Sequence, residues 1–226
     1  MSTATLKCSH LCSTVFKKQI VALTGLGLSG FVLAHMSGNL LMFLGPEAYN
    51  TYGHKLVTNP LIYPAEIALV VMFVVHIFLA ASLTRQNRLA KPQTAGALRS
   101  GSEKMARFGS QSMILTGAVV FVFTVLHLIT FKWGTYYEAT YQGVVMRDLH
   151  RLVVEKFQEP LYVGWYLFSL ALLGVHLSHG FSATFQSLGI GSVRWPCLKK
   201  LGWAFGLLIA LGFMSQPIYV VLTKGN

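Results

Sequence analysis

Acidic residues are scarce in this chain. Of 226 residues only 7 are Asp or Glu, against 18 Lys or Arg, and charged residues make up 11% of the total. A soluble domain carries roughly 25% charged residues. That shortage, with 54% hydrophobic residues and a mean hydropathy of +0.56, points to a membrane protein. The same composition excludes a disordered or nucleic-acid-binding chain, which would hold far fewer apolar residues. Cysteine is scarce too. Cys8, Cys12 and Cys197 offer no disulfide framework, and the lack of any C-x-x-C-H excludes covalent c-type haem attachment. The run Cys8-Ser-His10-Leu-Cys12 lacks the second half of a zinc site and reads as part of a tail. The sequence gives no strand signal of any length and no internal repeat with a convincing period.

Long apolar runs are abundant. Five of them, at about 19–44, 61–84, 108–131, 160–188 and 199–222, each reach the ~20 residues needed to cross ~30 Å of hydrocarbon. Pro64 and Pro160 fall near the starts of the second and fourth runs, where a missing N–H costs little, and Pro196 precedes the fifth. Gly45-Pro46 and Gly189–Gly191 close the first and fourth runs. The expected fold is an all-α integral membrane protein with a 1–18 tail and a 19–222 five-helix domain.

The charges give an orientation. The tail, the loop between spans two and three and the loop between spans four and five hold twelve bases and one acid, Glu103. The other side holds six of each, including Glu66, Lys132 and Asp148. Lys and Arg collect in cytoplasmic loops, so the N-terminus is expected in the cytoplasm and the C-terminus outside.

Four histidines lie within spans, one on each of the first four helices: His35, His76, His127 and His176. His179 follows His176 by one turn. An ionisable residue inside a membrane is costly and usually functional. A lone intramembrane histidine is often an interhelical hydrogen-bonding group, but one on each of four successive helices is harder to obtain that way. At 1.5 Å per residue, His35 and His127 fall in the outer half of the membrane, and His76 and His176 in the inner half. These are two pairs at two depths, each from two helices. A bis-histidine iron porphyrin needs that arrangement, and such an iron suits electron transfer rather than oxygen binding. Gly38, Ala80 and Gly180 lie on the same faces as His35, His76 and His176 and leave room for a flat ring, whereas Phe131 follows His127 and packs against a ring edge instead. A zinc or copper site would need three or four histidines at one depth. A proton relay through Glu66 and the histidines lacks polar stepping stones between the two layers. On depth alone His179 competes with His176, its other expected role being a polar contact such as one to a haem propionate.

Several segments resemble a known family. They are Gly30-Phe-Val-Leu-Ala-His35-Met-Ser-Gly-Asn39, Gly45-Pro-Glu-Ala-Tyr-Asn50, Glu66 ten residues before His76, Asp148-Leu-His-Arg-Leu-Val153, and His176-Leu-Ser-His-Gly180 followed by Phe185-Gln-Ser-Leu-Gly189. Together, over about residues 15–222, the chain resembles the cytochrome b membrane anchor of succinate dehydrogenase and quinol:fumarate reductase, in its single-chain, five-helix, di-haem form. The resemblance implies a haem-binding four-helix bundle plus one flanking helix in a bacterial inner membrane. It implies two non-covalent haem b groups, the outer held by His35 and His127 and the inner by His76 and His176. The family's His-x-x-x-Gly pattern on helix four favours His176 over His179. The implied partners are a flavoprotein and an iron–sulfur subunit docked on the cytoplasmic face, membrane lipid and a quinone, commonly menaquinone in two-haem members. The whole complex is open to higher oligomers. Within it this chain supplies electron transfer and no catalytic residue of its own. Glu66, near the outer end of span two, is a candidate for exchanging protons with a quinone, or alternatively an interfacial residue or a member of a haem-propionate network. Lys18 and Ser29 are weaker candidates for an inner quinone site. Two other readings stay open: the cytochrome b anchor of a hydrogenase or formate dehydrogenase, which would use both His176 and His179, and a small transporter without pigment.

Overall fold

A computed structural model describes residues 13–90, 101–190 and 197–223, with backbone alone over 101–111. Cys8, His10 and Cys12, the bases Lys91 and Arg99 with the side chains of Glu103, Lys104 and Arg107, and the Gly191, Arg194 and Pro196 positions lie outside the described residues.

Five helices are long and apolar enough to cross a membrane. They are α1 (Thr14–Asn39, extended by a 3-10 turn over Leu40–Leu44), α3 (Ile62–Leu89), α4 (Gly101–His127), α6 (Pro160–Ser187) and α7 (Cys197–Thr223). The chain is a multi-pass, all-α membrane protein. The Ser13 side chain accepts from Phe16 N and caps α1, which begins ahead of the expected boundary at residue 19. Pro160 opens α6 at its first position, where its missing N–H is harmless. Below, the end of the bundle where α1 begins is the N-side and the end where α7 finishes is the C-side.

Two shorter helices lie at the C-side: α2 (Pro46–Thr58) and α5 (Leu149–Lys156). Between α4 and α5 stands a hairpin, β1 (Glu138–Tyr141) paired antiparallel with β2 (Val144–Arg147), Tyr141 opposite Val144. This corrects the expectation of no strand. Gln142 and Gly143 both adopt positive φ, 53° and 81°. That pattern belongs to a type I′ turn, whose twist suits a tight hairpin. Each strand is four residues long, too short for alternation to stand out from the sequence.

Packing centres on α6. Helix α7 lies against it through small residues: a side chain on Gly206 would run into the Gly174 carbonyl, and one on Gly174 would sit 2.9 Å from Ala210 Cβ. Gly202, Gly206 and Ala210 thus form a small-residue ridge at four-residue spacing, the device that lets helix backbones approach closely in lipid. Helices α1 and α4 also pack on α6, and α3 packs on α1. Across the bundle α3 and α4 meet through Phe73 and Phe121, stacked at 6.2 Å. Helix α7 touches α6 and α1 and stands outside the set α1, α3, α4 and α6.

At the C-side, α2 and α5 are tied by Asn50, which is 2% exposed. Its amide donates to Asp148 Oδ1 at 2.8 Å, and its carbonyl oxygen accepts from His150 N at 2.9 Å. Asp148 also caps α5 by accepting from Arg151 N. The two segments Tyr49-Asn50 and Asp148-Leu-His150, nearly a hundred residues apart, therefore form one buried polar joint. Directly after His127, the helix α4 loosens into a π-turn over Leu128–Lys132. Such turns recur at functional positions.

Candidate functional site

The histidines of the four helices converge as two pairs. His35 on α1 and His127 on α4 meet near the C-side, with ring centroids 5.8 Å apart and planes nearly perpendicular. His76 on α3 and His176 on α6 lie deeper toward the N-side, within electrostatic reach of each other.

In the N-side pair each imidazole is seated on the neighbouring helix. His76 Nδ1 lies 3.1 Å from the Val21 carbonyl and 3.1 Å from Thr24 Oγ1, both on α1. A carbonyl only accepts, so Nδ1 carries the proton. Thr24 agrees, because its own hydroxyl proton is directed to the Ile20 carbonyl at 2.8 Å, leaving its lone pairs to accept. His176 is held in a similar way on α4: Nδ1 lies 3.1 Å from Thr116 Oγ1, and Thr116 donates to the Ser112 carbonyl at 2.8 Å. With Nδ1–H engaged, Nε2 of each ring keeps its lone pair and has no hydrogen bond among the described residues. That is the state of a histidine prepared to ligate a metal, its other nitrogen fixed by a carbonyl or hydroxyl.

Glycines make room for these rings. A Cβ at Gly25 would stand 3.1 Å from His76 Cε1, and one at Gly117 would stand 3.3 Å from His176 Cε1. Gly180, four residues after His176, faces nothing closer than Met113 Cε at 3.9 Å, so space for a flat ring remains on that face. Gly38 serves a different purpose from the one expected: the Tyr52 ring occupies its face, 2.6 Å from where a Cβ would be.

The C-side pair is set among aromatic rings. Phe31 stacks on His35 at 5.4 Å, and Phe213 of α7 approaches it at 5.8 Å. Phe123 and Phe131 flank the His127 imidazole at 5.8 and 5.2 Å. His127 Nδ1 faces the Tyr166 hydroxyl at 2.9 Å, and Tyr162 donates to Tyr166 at 3.2 Å. The Asn39 amide donates to the His35 carbonyl at 2.8 Å, and its oxygen accepts from Tyr49 OH at 2.8 Å. The polar joint at the C-side thus reaches down to the backbone of His35.

The remaining candidates fall elsewhere. Glu66 is not buried: its carboxylate forms an ion pair with Lys132, just beyond α4, and both side chains are about two-fifths exposed. His179 turns its ring to Trp203 of α7 at 5.9 Å, and its buried Nδ1 has no hydrogen-bond partner among the described residues. Ser29 donates to the Gly25 carbonyl at 2.7 Å and Lys18 is exposed; nothing brings the two together. Thr24, Thr116, Tyr166 and Asn39 escape a reading of the sequence, because single polar residues in apolar helices carry no spacing signal of their own.

The donor set fits haem b in number and chemistry. His35 and His127 meet from facing helices, His76 and His176 lie within electrostatic reach of each other, and among the described residues no three His, Cys, Asp or Glu side chains gather as a polyhedral metal site would require. No family model, curated protein or solved structure matches the chain.

Proposed function

We propose that this chain is the di-haem cytochrome b anchor of a succinate:quinone or quinol:fumarate oxidoreductase, passing electrons between an iron–sulfur subunit and membrane quinone. The observation that carries the reading is the double pairing. Four imidazoles on four different helices come together two by two at two depths, and in the deeper pair Nε2 is left free on both rings. When bound, haem b supplies an iron that takes up and returns single electrons. Each residue has a part in holding it. His76 and His176 would hold the haem near the N-side, and His35 and His127 the one near the C-side. The Val21, Thr24 and Thr116 oxygens keep the N-side rings oriented, and the phenyl rings around His35 and His127 exclude water.

The N-side end carries Lys17, Lys18, Arg85, Arg88, Lys199 and Lys200 with no described acid beside them. Charge bias of this kind supports a cytoplasmic N-terminus, with the flavoprotein and iron–sulfur partners on that basic face and menaquinone as the quinone class. The exposed Glu66–Lys132 pair supports the interfacial role for Glu66 over a buried proton-exchange role. A hydrogenase-type anchor with both ligands on one helix is disfavoured by the Trp203 contact of His179.

The test is a dithionite-reduced minus oxidised spectrum of the purified membrane protein, with haem counted per chain. A b-type α-band with two haems per chain is expected. Absence of the band overturns the reading, and one haem per chain overturns the two-pair arrangement.

A further inference from the structure

The seats of His76 and His176 are the same seat, built twice. On α1, Val21, Thr24, Gly25, Phe31 and His35 occur in order. On α4, 92 residues later, Met113, Thr116, Gly117, Phe123 and His127 occur in the same order. Their contacts match as well as their spacing. Thr24 and Thr116 each donate back to the carbonyl four residues earlier and face an imidazole Nδ1 at 3.1 Å. Val21 offers His76 its backbone carbonyl at 3.1 Å, and Met113 stands at the same place in the second seat. Gly25 and Gly117 each lie under the imidazole Cε1. Phe31 and Phe123 each lie against the histidine four residues on. The incoming histidines, His76 and His176, are themselves 100 residues apart. The bundle therefore contains an internal repeat, α1 with α3 and α4 with α6, which the sequence alone did not reveal; α7 has no counterpart in it.

We infer that Thr24 and Thr116 are matched positioning residues, two copies of one clamp that fixes both imidazoles of the N-side pair with Nδ1 protonated and Nε2 free. The inference rests on the di-haem reading. Its physical content is that a hydroxyl whose proton is spent on its own helix is left as an obligate acceptor. Such an acceptor selects one imidazole tautomer and one ring orientation. Because His76 and His176 form one pair, both threonines serve one and the same haem, although they sit on different helices. The C-side pair does not share this device: His127 faces the hydroxyl of Tyr166, and the residue at the corresponding place in the first half, Glu66, is turned to Lys132.

The test uses the full chain with its haems and reads the low-spin ferric EPR signals and midpoint potentials of the two haems, assigned with H76A. T24V and T116V are each expected to shift or abolish the signal of one haem, the one that H76A removes, and to leave the other unchanged. T24S and T116S keep the hydroxyl and are expected to keep the wild-type signals. Shifts in different haems for the two valines overturn the inference. So does an unchanged pair of signals in either valine variant, or a serine variant displaced as far as its valine counterpart. Should the valine variants not accumulate, G25A and G117A press on the same two rings. Each is expected to disturb that same haem, and an unchanged spectrum in either overturns the clamp. Two haems in the wild type with unresponsive threonines would defeat the clamp alone, whereas a wild type without a b-type band would defeat the di-haem reading and the clamp with it.

Discussion

Tyr166 and His127 are joined by a hydrogen bond of 2.9 Å between hydroxyl and Nδ1, and Tyr166 in turn accepts from Tyr162 at 3.2 Å. This chain of two phenols reaches one imidazole of the C-side pair and not the other. Removing a partner of a ligating histidine typically weakens a metal site on the order of 10- to 100-fold. Y166F is expected to lower retention of the C-side haem by about that range while the N-side haem keeps its spectrum. Titration of apo-protein with haem measures it; equal loss at both sites would contradict the assignment.

Histidine replacement tests the proposed haem ligands. H35A and H127A are expected to remove the same haem, H76A and H176A the other. H179A is expected to retain both, because its ring packs on Trp203. Pyridine-haemochrome content per chain reports each case. A chain that loses a haem on H179A and keeps both on H176A would reverse the ligand assignment on α6.

The C-side joint predicts a stability effect. Asn50 is nearly inaccessible and satisfies both Asp148 Oδ1 and His150 N. N50A leaves His150 N without its acceptor, at a cost of about 1–3 kcal/mol for a polar group left unpaired, while Asp148 Oδ1 keeps its bond from Arg151 N. A lower Tm in detergent is expected; an unchanged Tm would show that the joint does not hold α2 to α5.

The contact between α6 and α7 tolerates little bulk. A side chain at Gly206 meets the Gly174 carbonyl and Ser178 Cβ, both part of a helix that cannot swing aside. G206L is expected to destabilise by at least the ~1–3 kcal/mol of an overpacked core and to lower the yield of folded protein in size-exclusion chromatography. A normal elution profile and Tm would count against the ridge.

His150 links stability to pH. Burial holds its imidazole below the usual 6.5, with Asp148 partly offsetting. The folded protein thus prefers the neutral ring. The sign follows: the associated stability is present above pH 6.5 and is lost as pH falls below it. Tm is expected to decline on acidification, and H150Q to flatten part of that decline. A variant with the wild-type slope would remove His150 from the account.

Much of this was legible before any coordinates. Five apolar runs gave five helices because a backbone in hydrocarbon must satisfy its own hydrogen bonds. The histidine depths followed from helical rise, and the structure pairs His35 with His127 and brings His76 within electrostatic reach of His176. The hairpin around Gln142-Gly143 is not legible in the sequence because four-residue strands carry too few alternations. The repeat was missed for a related reason. Between Thr24 and His35, and between Thr116 and His127, most positions need only be apolar, so a handful of matching residues is diluted among interchangeable ones.

Gly38 and Glu66 mark the limit of inference from position alone. Each sits where a helical offset suggests a role. Gly38 makes way for Tyr52 from α2, and Glu66 is drawn to Lys132. Neither partner is near in sequence.

The chain's own order of residues determined its class, its number of membrane-crossing helices and the depth of each histidine, because these depend on hydrophobicity and a fixed rise per residue. Which nitrogen of an imidazole is bound, which threonine binds it and which glycine admits its ring were decided only by tertiary structure. Those properties depend on how two helices are turned toward each other, and a helix with apolar residues all around has no face that announces that rotation.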